Sequence, residues 1–120
     1  MFAFCIQERG SGRLFLARDR LGIKPLFYAH LHDRFLFASE LKAILPLLGH
    51  APEMDPGAFS QYLHTHCTTG EQTIFSGIRR VRPGEVLEVP PDLSLTRRRY
   101  WSGLDVRPRG MTQAEAEEEF

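Results

Sequence analysis

Two cysteines, five histidines and one compact run of opposite charges are the side chains in this 120-residue sequence that could act on a substrate. A cysteine attacks as its thiolate, so it needs a neighbouring base or a lowered pKa. Cys5 lies inside the apolar run Met1-Phe2-Ala3-Phe4-Cys5-Ile6, which reads as a strand, and is expected in the core; Cys67 lies in a polar loop. Two cysteines are too few for a disulfide framework, and no CxxC or Cys/His spacing suggests zinc. The histidine pairs His30/His32 and His64/His66 are each two residues apart, and with His50 they read as strand or loop surface residues. No metal site is expected.

Arg18-Asp19-Arg20 could in principle supply an acid or base. The surrounding residues favour architecture. Asp19 can turn the chain, Gly22 can adopt a conformation closed to other residues, and Pro25 fixes entry to the next strand. An ion-paired corner that satisfies backbone groups is expected from Arg18, Asp19 and Arg20. The basic clusters Arg79-Arg80-Val81-Arg82 and Arg97-Arg98-Arg99 come without aromatic interleaving or a phosphate loop, and read as a solvated or interdomain face. Fifteen Lys and Arg balance fifteen Asp and Glu, so no net field favours nucleic acid or an anionic membrane. Trp101, beside Tyr100, is expected to anchor the end of the last strand.

The elements that must position these residues follow from period and punctuation. Residues 1–8 and 13–18 read as strands joined by Arg9-Gly10-Ser11-Gly12, and residues 24–30 and 34–38 as two more across His32-Asp33. Four consecutive strands imply an antiparallel meander. Leu41, Ile44, Leu45 and Leu48 switch the spacing to that of a short helix, broken near Pro46. Asp55-Pro56 signals the N-terminus of a second helix over 56–65, with Phe59, Tyr62 and Leu63 on one face. After a polar loop, Glu85 to Val89 and Thr96 to Trp101 read as a closing hairpin. Residues 102–110 turn to Pro, Gly and Arg, and Thr112-Gln113-Ala114-Glu115 forms a capping box for a third helix.

With 42% hydrophobic residues, the chain is long enough for one domain with a core. The opening residues lack the basic flank of a signal sequence, and no stretch reaches the roughly 20 apolar residues of a membrane span. A reducing, cytoplasmic setting is expected.

The run Ala17-Arg18-Asp19-Arg20-Leu21-Gly22-Ile23-Lys24-Pro25-Leu26-Phe27-Tyr28 resembles a signature of class II glutamine amidotransferases, especially those joined to asparagine-synthetase-type domains. Four more segments follow the family's order: Met1-Phe2-Ala3-Phe4, Phe37 to Ala43, Thr73-Ile74-Phe75 with Pro83-Gly84, and Arg99-Tyr100-Trp101. The resemblance implies an α+β fold, the antiparallel sheet part of an N-terminal-nucleophile α/β/β/α sandwich. Residues 1–101 would be the C-terminal part of the glutaminase domain, and 102–120 a linker with the first helix of a synthetase domain in cis.

That resemblance also implies a chemistry. Such enzymes release ammonia from glutamine at an N-terminal cysteine, then use ATP and magnesium to amidate aspartate. Phe2 follows Met1 here, so the nucleophile and the other glutamine-holding groups are expected upstream of residue 1, and the ATP loop downstream of Phe120. No catalytic, substrate-binding or cofactor-binding residue is therefore expected within this chain, which alone should be inactive. Met1, Ile23 and Lys24 match family positions on the wall of the ammonia route, while core packing for Met1 and Ile23 and a solvated Lys24 is an equal alternative. Another class II amidotransferase branch, a ligase with a different acceptor and a non-catalytic interaction module stay open. Self-association is expected if the missing half leaves a sheet edge bare.

Overall fold

A computed structural model describes residues 1–107, 110 and 113–118. Seven strands are present: β1 (Ala3–Gln7), β2 (Leu14–Arg18), β3 (Phe27–His30), β4 (Phe35–Ala38), β5 (Ile78–Arg80), β6 (Glu85–Val89) and β7 (Thr96–Arg99). The helices are α1 (Leu41–Ile44), α2 (Pro56–Thr65) and α3 (Gln113–Glu118).

Strands β1 and β2 form the expected hairpin, but the four-strand meander does not exist. The chain instead builds two antiparallel sheets, one in the order β1-β2-β6-β7 and the other β4-β3-β5. Periodicity specifies that a segment is a strand and which face is apolar; it does not name the partner. The free edge of β2 is taken by β6, with Leu16 opposite Leu87 and Leu14 opposite Val89. Residues 19–26 carry the chain out of the first sheet and into the second.

One core lies between the two sheets. It joins Leu16, Leu87 and Val89 of the first to Leu26, Tyr28 and Val81 on the other side. Each fully buried Leu or Val there contributes about 2 kcal/mol relative to an exposed one. A second core packs Ala29 and Ile78 of the three-stranded sheet against Ile44 and Leu48. Helix α1 thus covers one sheet's outer face. On the outer face of the four-stranded sheet, Phe4 and Ile6 remain 42% and 56% exposed.

Pro46 lies in a short 3-10 turn, Leu45–Leu47, that ends α1, as its missing N–H dictates. In α2 the Asp55 side chain accepts from the Ala58 N–H at 2.8 Å, the expected N-cap. The face carrying Phe59, Tyr62 and Leu63 is not buried, however; Ala58 alone is. Strand β5 falls in the segment read as a polar loop. Its three residues are too few to show a period, and pairing with β3 creates it. Helix α3 begins at Gln113, inside the expected capping box, whose Thr112 lies outside the described residues. Among those described, no helix is long and apolar enough to cross a membrane.

Candidate functional site

The corner between the sheets is built around two adjacent buried charges, Arg18 and Asp19, 7% and 5% exposed. No ion pair to Arg18, Asp19 or Arg20 occurs among the described residues. Backbone groups hold both buried side chains instead. The Arg18 guanidinium donates through Nε to the Lys24 carbonyl at 2.8 Å, through Nη1 to that of Val81 at 2.7 Å and through Nη2 to that of Gly22 at 2.5 Å. Three carbonyls that a loop would otherwise leave unpaired are thereby satisfied.

Asp19 does the complementary work. Its Oδ1 accepts from the N–H groups of Leu21 and Ile23, both at 3.1 Å. Its Oδ2 accepts from Lys24 at 3.0 Å and from Phe2 at 3.3 Å. The hydrogen bond from Lys24, opposed by burial and reinforced by those from Ile23, Phe2 and Leu21, lowers the carboxyl from its ordinary value to about 2. An acid held so firmly ionised is a poor proton donor. Its action is to fasten the first strand's entry to the loop.

One consequence concerns Met1, Ile23 and Lys24. A single carboxylate binds the amides of Ile23 and Lys24 and that of Phe2, the residue after Met1, so these backbone groups meet at one corner. Met1 is 79% and Ile23 52% exposed, so neither packs in a core here, and Lys24 is exposed as well. Leu21 extends the apolar patch.

Gly22 adopts φ +65°, and a Cβ there would come within 2.7 Å of the Pro83 ring and 3.1 Å of the Arg18 guanidinium. Exposed Pro25 leads the chain into β3, and Arg20, also exposed, lines a cleft beside the corner. Cys5 sits in β1 against the intersheet core, and burial pushes its thiol up, the opposite of what a nucleophile needs. Cys67 is exposed beyond the end of α2.

The arginine clusters are not simply a solvated face. Arg97 reaches across the sheets to hydrogen-bond both the Tyr28 hydroxyl and Glu71. Glu71 also pairs with Arg79 and Arg82, each at 3.4 Å. Burial opposes its charged form, but the Arg97 hydrogen bond and the fields of Arg97, Arg82 and Arg79 outweigh it, so the carboxyl lies below its ordinary range. Arg80 donates to the Thr68 carbonyl and hydroxyl. Sequence reading missed Glu71, because nothing local distinguishes it; its partners come from β5, the following turn and β7.

Residues 1–101 match the family described as the glutamine amidotransferase domain. The chain is 34% identical over 101 residues to asparagine synthetase [glutamine-hydrolyzing] 1 of Bacillus subtilis, covering 84% of this chain and 16% of that protein. It is 38% identical over 103 residues to asparagine synthetase [glutamine-hydrolyzing] 3 of the same organism, covering 85% and 17%. To amidase chry2 of Gibberella zeae it is 33% identical over 100 residues, covering 83% and 14%. The chain thus spans about one sixth of the length of the first two curated relatives. On the family match, its five ordered segments and the antiparallel α+β architecture, the chain belongs to the glutamine amidotransferase domain family found in glutamine-hydrolysing asparagine synthetases.

Proposed function

We propose that this chain is part of a glutamine-dependent asparagine synthetase, in which ammonia released from glutamine is transferred to aspartate activated by ATP and magnesium. The 120 residues supply scaffold rather than reactive groups. The supporting observation is the Asp19 carboxylate, which accepts from the backbone amides of Phe2, Leu21, Ile23 and Lys24 and so holds the residue after Met1 near the Ile23–Lys24 backbone. Met1 and Ile23 offer neutral ammonia a surface that supplies no acid to trap it as ammonium. The role of Lys24 is to hold the corner through its backbone; its ammonium stays in solvent.

Of the two thiols, Cys5 is held in a strand where burial raises its pKa, and Cys67 lies in a loop beyond α2 rather than at a chain start with a free amine beside it. It binds neither ATP nor magnesium at a synthetase site, because that site belongs to the rest of the enzyme. A ligase with another acceptor is the second reading, since the same domain is similar both to asparagine synthetases and to a protein named as an amidase, so the domain match does not fix the acceptor.

Two measurements test this. The purified chain should release no ammonia from glutamine above a matched blank. In the whole protein, Ile23→Asp should reduce glutamine-dependent asparagine formation while ammonia-dependent formation persists. Glutamine turnover by the chain alone, or equal loss of both activities in a folded variant, would contradict the proposal; a product other than asparagine would favour the second reading.

A further inference from the structure

A cleft of about 350 Å³ opens between the turn after β5, the end of β7 and the corner, lined by Arg20, Arg82, Arg99, Trp101, Ser102, Pro83 and two glycines. Three segments distant in sequence each contribute one guanidinium. Alternation along β7 separates Arg99 from Arg98, which lies on the opposite face, and places it on the same face as Arg97.

Among the described residues, no carboxylate lines this cleft. The nearby acids are committed elsewhere: Asp19 to four backbone amides, and Glu85 to the Arg82 amide at 2.8 Å. Glu71 pairs with one of the three guanidiniums, 3.4 Å from Arg82 Nη2. Among the described residues Arg20 and Arg99 form no salt bridge. The cleft therefore carries an excess of positive charge within a protein of zero formal net charge.

We propose that it binds a polyphosphate group, as a nucleoside polyphosphate or as free pyrophosphate. Guanidinium pairs with phosphate oxygens through two parallel N–H donors, and diphosphate or triphosphate spreads several charges over a length that three arginines can share. A lone carboxylate would engage one guanidinium face and leave the others uncompensated. Trp101 adds an aromatic wall, and the volume lies in the range of small-molecule sites.

Trp101 is the single tryptophan, so its fluorescence reports this cleft directly. The full chain is titrated with inorganic pyrophosphate and, by calorimetry, with ATP, at constant ionic strength without divalent cations. The expected result is saturable binding that weakens with added salt and falls about tenfold or more in both Arg20→Gln and Arg99→Gln, but not in Arg13→Gln, which removes the same charge elsewhere. Arg20 and Arg99 are exposed, and circular dichroism verifies that each variant is folded. Tighter binding of ATP than of pyrophosphate identifies a nucleotide stacked on Trp101; equal affinity identifies the free polyphosphate. No saturable binding, equal weakening in Arg13→Gln, or equal occupancy by aspartate would overturn the proposal.

Discussion

The Tyr100 hydroxyl donates to the Arg18 carbonyl at 2.7 Å, joining residues 82 positions apart. The same seam continues through the Tyr100 N–H to the Gly84 carbonyl at 2.8 Å, the Gly84 N–H to the Asp19 carbonyl at 3.0 Å and the Asp19 N–H to the Phe2 carbonyl at 2.9 Å. The chain's first strand, its corner and its last strand are thereby held at one end of the four-stranded sheet. Tyr100→Phe should lower stability by about 1 kcal/mol, seen as a reduced urea midpoint with an unchanged slope.

Arg18 and Arg20 should differ sharply in the cost of losing their charge. Arg18→Leu leaves three loop carbonyls without a donor and should cost about 3 kcal/mol or more, whereas Arg20→Leu should change stability by less than about 0.5 kcal/mol. Chemical denaturation of the two variants distinguishes a buried structural arginine from a surface one.

The Asp19 carboxyl titrates at about 2 in the folded chain against an ordinary 3.8, so the unfolded chain binds the proton more readily. Its stabilisation is complete above that ordinary value and is lost as pH falls from about 4 toward 2. Asp19→Asn should flatten this part of the stability profile, measured by denaturation across the acid range.

Gly84 admits no side chain. It adopts φ +67°, and a Cβ would lie 2.2 Å from the Trp101 carbonyl oxygen, a backbone atom that cannot move aside cheaply. Gly84→Ala should prevent the β6–β7 hairpin from closing and give a chain without a cooperative melt. Gly77→Ala, at φ +82° but in open space, should cost only about 1 kcal/mol.

The outer face of β1 should drive self-association. Phe4 and Ile6 are exposed on a strand with one unpaired edge. Sedimentation of the chain alone should show oligomers, and Ile6→Lys should shift the population toward monomer without lowering stability. A wild-type monomer at the same concentration would contradict this.

Strands, helix starts and the corner motif were legible because their causes are local. Alternating apolar residues made β1, β2, β4 and β6 recognisable, Asp55-Pro56 opened α2, and the Arg18 to Pro25 run carried the resemblance. Partnership was not local. Which edge β2 would offer to β6, how the chain left one sheet for the other, and the pairing that makes β5 a strand all depend on segments meeting across long sequence distances.

The sequence by itself determined the family and the presence of a rigid corner, since glycine, proline and paired charges act through their own backbone. Only tertiary structure decided what the charges do. It turned Arg18 and Asp19 from expected ion-pair partners into ligands for seven backbone groups, gathered Arg79, Arg82 and Arg97 around Glu71, and left Arg20 and Arg99 in a cleft without a salt bridge among the described residues. The physical reason is reach: a charged side chain takes whichever partner the fold delivers within hydrogen-bonding distance, and a linear sequence does not record that distance.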